Sequence, residues 1–236
     1  MKLYTTNRIN ALGLKGPEQT PEKIKQFLTI PTTYIKVEND NIQESQKILY
    51  NKAKGIFQLK EKPIFLGGDH SITYPIFKAF KENNSNPFLI IFDAHADCMQ
   101  PQQEPTHEEF LRAIIEDGFP SEKIIIIGLR KVEPEEQEFL DKHKIKIFKT
   151  IKDTIQIIEE HNLYISIDID ALDQTEAPAV NYPEPNGLTS KEFFNILDEL
   201  LKQNPKAIDI VEAVPEKDQD NKTLKLITKI IKKVSN

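Results

Sequence analysis

Short runs of β-branched and aromatic residues recur along the chain, with helical patterns between them. Segments 33–37, 63–66, 87–92, 123–127, 145–148, 163–167 and 207–211 each read as a strand. Several, such as Ile124-Ile125-Ile126-Ile127, are apolar throughout instead of alternating, as parallel strands covered on both faces must be. Between them, Thr20-Pro21 reads as the N-cap and first helical residue of a segment with Ile24, Phe27 and Leu28 on one face. A second helix carries Ile42, Ile48, Leu49 and Ala53. Thr189 and Glu192 have capping-box spacing ahead of an apolar stripe through Phe193, Leu197 and Leu200. The last helix sets Leu224, Ile227, Ile230, Ile231 and Val234 against Lys225, Lys229, Lys232 and Lys233, a basic amphipathic pattern read as docking with its lysines in water. This alternation predicts an α/β fold, a three-layer α-β-α sandwich with a central parallel sheet, in one domain spanning residues 1–236. Ligands of such sheets sit outside the carboxyl ends of the strands.

Composition narrows the chemistry. The 236 residues carry a formal charge of −6, which offers no general attraction to phosphate backbones, so nucleic acid is not expected as a partner. No apolar run has the length of a membrane span, and the start, Met1-Lys2-Leu3-Tyr4-Thr5-Thr6, lacks the apolar stretch of a signal peptide. With the single cysteine Cys98 no internal disulfide can form. The expectation is a cytoplasmic protein acting on a small molecule.

Three predicted strands run into acids and histidines: Gly67-Gly68-Asp69-His70-Ser71, Asp93-Ala94-His95-Ala96-Asp97 and Asp168-Ile169-Asp170-Ala171-Leu172-Asp173. Taken singly, each is an ordinary turn or loop start. Together at one sheet edge they bring two imidazoles and at least four carboxylates into a cleft, where the acids repel and must take up protons unless cations neutralise them. Two divalent metals would do so. An oxygen-rich donor set with two imidazoles and no thiolate suits a pair of Mn²⁺. Two such ions can share a water and lower its pKa, which points to a metal-assisted hydrolase.

In this order, the three motifs resemble the signatures of the ureohydrolases, the family of arginase, agmatinase and formiminoglutamase. The likeness runs from about Pro63 to the C-terminus. It implies one manganese held by His70, Asp93, Asp97 and Asp168, and a second by His95, Asp93, Asp168 and Asp170, with Asp97 also orienting the attacking water. Ile210-Val211-Glu212-Ala213-Val214-Pro215 resembles the segment whose glutamate pairs with the substrate guanidinium. His107 resembles the loop histidine that shuttles protons, although Glu108 follows it in place of the usual glycine. The resemblance also implies a homo-oligomer, commonly a trimer or hexamer. His143 and His161 read as structural, and Cys98 as a small loop residue.

The departures bear on the substrate. Gln174 stands where the family usually has proline, Ala179-Val180 where it has a glycine, and Asn186-Gly187 where it has a glycine pair. The loop 128–134 resembles one that faces the substrate in arginases, with Glu133 at the position of an aspartate that helps hold an α-amino group. Met99 stands where arginases have an asparagine that contacts the α-carboxylate, and a thioether cannot replace that hydrogen bond. Agmatine is therefore the favoured substrate, cleaved to urea and an amine, with arginine or another guanidino or formimino compound as the alternative. Two other readings compete. A binuclear metallophosphoesterase would need further His-rich motifs, which the isolated His143 and His161 do not supply. A catalytically silent metal-binding paralogue fits the altered loop but not the complete ligand set.

Overall fold

In the computed structural model, residues 1–10, 12–101, 103–148 and 158–235 are described. Eight strands, β1 (Lys2–Thr6), β2 (Thr32–Ile35), β3 (Pro63–Leu66), β4 (Pro87–Phe92), β5 (Ile124–Ile127), β6 (Lys146–Phe148), β7 (Asn162–Asp168) and β8 (Ala207–Val211), form one sheet in the order β2-β1-β3-β8-β7-β4-β5-β6. Every neighbouring pair is parallel. The strand alternation separates the core into two layers. Leu66, Ile90, Phe92, Ile165, Ile167 and Ile210 pack on one side with helices α6 (Ser190–Lys202) and α7 (Lys222–Ser235). Phe65, Leu89, Ile91, Tyr164 and Val211 pack on the other with α2 (Ile42–Gln58), α3 (Thr73–Asn83), α4 (Phe110–Glu116) and α5 (Pro134–His143). The three-layer α-β-α sandwich is therefore the fold, and the wholly apolar strands β3 and β5, together with β8, apolar except for Asp209, are buried along their full length, as two-sided cover requires.

Thr189 and Glu192 make the expected reciprocal capping box at α6. Thr20 does not cap a helix. A 3₁₀ turn (Pro17–Gln19) runs into α1 (Thr20–Lys23) and a second 3₁₀ turn (Ile24–Phe27), and the Thr20 hydroxyl is buried, donating to the Ala213 carbonyl at 2.7 Å. Ile24 still reaches the core from this irregular segment. Among the described residues, no helix is long and apolar enough to cross a membrane.

Candidate metal centre

The acidic and histidine motifs follow β3, β4, β7 and β8, four neighbouring strands, so their carboxyl ends form one floor. After β3 the chain must turn closely under the N-terminal segment. A Cβ on Gly68 would lie 2.0 Å from the Arg8 carbonyl oxygen, and one on Gly67 would meet Ile72 Cδ1 at 2.1 Å. The two glycines thus permit the approach that sets His70 at the start of a short 3₁₀ turn, capped by Asp69.

Backbone donors aim the carboxylates. Asp93 Oδ1 accepts from the His95 N–H at 2.7 Å, Asp168 Oδ1 from the Asp170 N–H at 2.8 Å, and Asp170 Oδ1 from the Ala94 N–H at 3.0 Å. The second oxygen of each acid is left to face inward. Asp93 Oδ2, Asp97 Oδ2 and Asp168 Oδ2 lie 3.0, 3.1 and 3.4 Å from His70 Nδ1, and Asp170 Oδ2 lies 2.9 Å from His95 Nδ1. Asp97 reaches its place through left-handed backbone, at φ +48°. The donor atoms make two groups, His70–Asp93–Asp97 and Asp93–His95–Asp170, with Asp93 in both and the atoms of each within 4.8 Å of one another.

Such a set is electrostatically unsatisfied by itself. Burial and the Asp93 charge push Asp97 up to about 8. Burial and the charges of Asp170 and Asp93 hold Asp168 well above the usual carboxylate range. Burial disfavours the charged form of His95, but hydrogen bonds with Asp170 and Asp93 outweigh it and push its pKa up to about 12. The cluster therefore retains protons where cations would otherwise sit. His70 Nδ1 and Asp93 Oδ2 are buried without a hydrogen-bond partner although only 3.0 Å apart, because they point at a common centre and not at each other. Two imidazole nitrogens and four carboxylates converging in this way fit a pair of divalent ions.

A cavity of about 310 Å³ opens over this floor. Glu212 enters it just beyond β8, at φ +67°. Its N–H donates to the Gly68 carbonyl at 3.0 Å and its Oε1 accepts from the His70 N–H at 2.8 Å. His107 is buried at the rim, with Nδ1 3.4 Å from that same Oε1. Burial opposes its protonation, but the hydrogen bond and charge of Glu212 prevail and push its pKa up to about 9. Asn10 fastens the His107 loop: its side-chain amide donates to the carbonyls of Glu104 and Pro105, its backbone oxygen accepts from the His107 N–H, and its own N–H donates to Asp69. Glu133 and Met99 also line the cavity, and the Glu133 carboxylate, about half exposed, pairs with Lys131 at 2.7 Å. His143 and His161 lie away from it, at the end of α5 and before β7. Cys98 is buried beside Glu136, and burial pushes its thiol up, as in an unreactive cysteine.

The arginase family matches residues 15–235. The chain belongs to the arginase family. Among its relatives, arginase 1 (mitochondrial) of Arabidopsis thaliana is 30% identical over 188 residues, covering 74% of this chain and 54% of that protein. Agmatinase of Bacillus anthracis is 27% identical over 203 residues, covering 82% and 70%. The match to the plant arginase thus spans about half of that protein's length. In fold, formimidoylglutamase of Bacillus subtilis superimposes with a TM-score of 0.92 at 21% identity, covering 99% of this chain and 85% of the other. Arginase of Bacillus subtilis does so with 0.88 at 20%, covering 99% and 97%.

This arginase-family chain also places at the site residues that motif reading passes over. Asp209, fully buried in β8, accepts hydrogen bonds from Tyr164 Oη (2.6 Å), Ser166 Oγ (2.6 Å) and Thr73 Oγ1 (2.9 Å), and Ser166 Oγ lies 2.9 Å from His70 Nε2. A lone acid inside an otherwise apolar strand is the sequence signal that could have exposed it. Arg130 donates to the carbonyls of Gly128, Asp170, Ala171, Leu172, Glu184 and Pro185, tying the loop after β7 to the loop after β5. That tie sets Tyr182 and Glu184 into the cavity wall.

Proposed function

We propose that this protein is a dimanganese hydrolase that cleaves a guanidino substrate, agmatine foremost, to urea and a primary amine. The observation that carries the reading is the single cavity whose floor is the six-residue ligand set His70, Asp93, His95, Asp97, Asp168 and Asp170 and whose wall presents Glu212. When bound, two manganese ions supply Lewis acidity and bring the pKa of a shared water toward neutrality.

The chain's own residues do the rest. Glu212, fixed by the His70 N–H, pairs with the guanidinium and holds its carbon over the floor. Asp97 orients the attacking water. Water oxygen bonds to the guanidinium carbon and gives one proton to Asp97, and the bond from that carbon to the alkyl nitrogen breaks as that nitrogen takes a proton from His107. The second water proton passes to His107 as urea forms its carbonyl, and the amine leaves as an ammonium with the proton from Asp97. His107 is the proton source: with its pKa at about 9 it is charged at neutral pH, and its Nε2 is buried at the cavity without a hydrogen-bond partner among the described residues.

Agmatine is favoured over arginine because Met99 offers an α-carboxylate no hydrogen bond, and Lys131, the one lysine or arginine lining the cavity among the described residues, is already paired with Glu133. Arginine is the second reading, supported by Glu133 at the position suited to an α-amino group. Urea and amine release by the manganese-loaded protein, measured with agmatine, arginine, 4-guanidinobutyrate and formiminoglutamate, tests both. Highest kcat/KM for agmatine is expected. A strong preference for arginine overturns the substrate assignment, and no release from any of the four overturns the activity.

A further inference from the structure

The cavity holds more negative charge than the metals and the guanidinium account for. Four aspartates are balanced by two divalent ions, Glu212 by the guanidinium and Glu133 by Lys131. Glu136 is buried and spends its oxygens on the backbone N–H groups of Cys98 and Glu133. Glu184 remains. Among the described residues its carboxylate makes no ion pair with lysine or arginine, although Lys131 feels its charge, and His95 Nε2 stands 3.8 Å away, too long for a hydrogen bond. Its side chain is 28% exposed and lines the cavity.

Its position is built, not incidental. Arg130 grips the carbonyls of Glu184 and Pro185 at 2.9 and 3.0 Å, and grips the ligand loop at Asp170 at 2.8 Å, so Glu184 is held in register with the metal floor. The guanidinium acceptor Glu212 is at a different part of the wall. Between the two carboxylates stand His107, whose ring stacks on Tyr182 at 6.1 Å, and His95, which meets Tyr182 edge-on at 6.2 Å. One cavity thus has two separated carboxylates across an aromatic wall, which matches a molecule with a cation at each end and an apolar spacer between.

Resting on the guanidino-hydrolase reading, we propose that Glu184 is the specificity-determining residue that recognises a second, distal cationic group, so that the enzyme selects guanidines with an ammonium tail over those with a neutral or anionic tail. A charge-assisted contact at a partly exposed site corresponds to roughly tenfold in kcat/KM.

The test compares agmatine, butylguanidine and 4-guanidinobutyrate, with ammonium, methyl and carboxylate tails, on the manganese-loaded wild type, Glu184→Gln and Glu184→Lys, with manganese content measured in each preparation. The wild type is expected to favour agmatine over butylguanidine by roughly tenfold. Glu184→Gln brings that ratio near unity, and Glu184→Lys moves the preference toward 4-guanidinobutyrate. An unchanged ratio in both variants overturns the proposal, as does a wild type that treats agmatine and butylguanidine alike; in either case the urea-releasing activity stands. Parallel loss with every substrate together with loss of manganese also overturns it, since Glu184 would then serve His95. A wild type that releases urea from none of the three overturns the activity itself, and the proposal with it.

Discussion

Asp209→Asn tests how the sheet sets the proton on a metal-facing histidine. The β7–β8 register places Ser166 opposite Asp209, and the Ser166, Tyr164 and Thr73 hydroxyls all direct their hydrogens at its two oxygens. Ser166 has one proton, and with that proton given to Asp209 its oxygen accepts from His70 Nε2. His70 then carries hydrogen on Nε2, which would leave Nδ1, the nitrogen facing the three carboxylates, free to hold an ion once its own proton is displaced. Asparagine puts a donor where one acceptor stood. If its amide nitrogen faces Ser166, the serine proton swings to His70 and the wrong nitrogen is protonated; if it faces Tyr164 and Thr73, two buried hydroxyls lose their acceptor. Loss of an outer-shell partner of this kind typically weakens metal binding by roughly 10- to 100-fold. Orphaned buried hydroxyls cost about 1–3 kcal/mol, or roughly 2–12 °C in Tm for a chain of this size. Calorimetric Mn²⁺ titration and thermal melts of the metal-free protein should show both effects. Tyr164→Phe removes the hydroxyl not connected to His70 and should lower Tm while leaving manganese affinity in place. A folded Asp209→Asn protein that binds manganese as tightly as wild type refutes the tautomer argument.

Asp168→Ala should deplete manganese from both positions in metal analysis, because the proposed role of that carboxylate is to bridge; retention of two ions sinks the ligand assignment. His107→Asn should keep its metal while kcat falls by roughly 10² or more, and a kcat within a few-fold of wild type removes His107 from the proton path. Asp97, with its pKa raised to about 8, and His95, raised to about 12, both bind protons in the metal-free fold that the unfolded chain releases at lower pH. Their contribution to stability is therefore lost as pH rises, through a window beginning near the ordinary Asp value of about 3.9 for Asp97 and the ordinary His value of about 6.5 for His95. Manganese displaces these protons, so the rise in Tm on adding it should grow between about pH 6 and about pH 8; a constant increment contradicts the protonated cluster.

Seven of the eight strands are legible, their ends shifting by only a residue or two: the inner strands β3, β4, β5, β7 and β8 through the largely apolar runs that two-sided burial demands, and the partly exposed edge strands β2 and β6 through their β-branched and aromatic residues. β1 escapes because it reads Lys-Leu-Tyr-Thr-Thr, with Thr5 and Thr6 buried as polar groups. α3 escapes for the opposite reason: its first five residues, Thr73 to Phe77, are all buried, and polar positions begin only at Lys78, Lys81 and Glu82 in its second half. α4, at seven residues, has too few turns to show a period, whereas α5 is legible only at its end, where His143 reads as a helix-end residue. The proposed metal ligands are legible because each motif is contiguous at one strand end. Asp209 and Ser166 become partners only through strand register, and Glu184 becomes a cavity residue only through Arg130, forty or more positions from the carbonyls it grips at Asp170, Ala171 and Leu172. Relations of that kind have no local sequence period.

The residues that make the centre useful are also those that work against the fold around it. Asp97 and Glu212 both sit in left-handed backbone, a conformation that costs a residue with a side chain about 1–2 kcal/mol. Asp93, Asp168 and Asp170 are buried beside one another, and in the metal-free state burial and mutual charge make Asp168 and Asp170 hold protons more tightly than water would. The parallel sheet offsets this with four apolar strands on which the acids stand, while backbone N–H groups of His95, Asp170 and Ala94 keep one oxygen of Asp93, Asp168 and Asp170 fixed in place. On the proposed assignment, the fixed oxygens leave mainly protons to be exchanged when ions bind. That ties manganese to the stability of the fold as well as to the chemistry, because a ligand that binds the native state alone stabilises it by mass action.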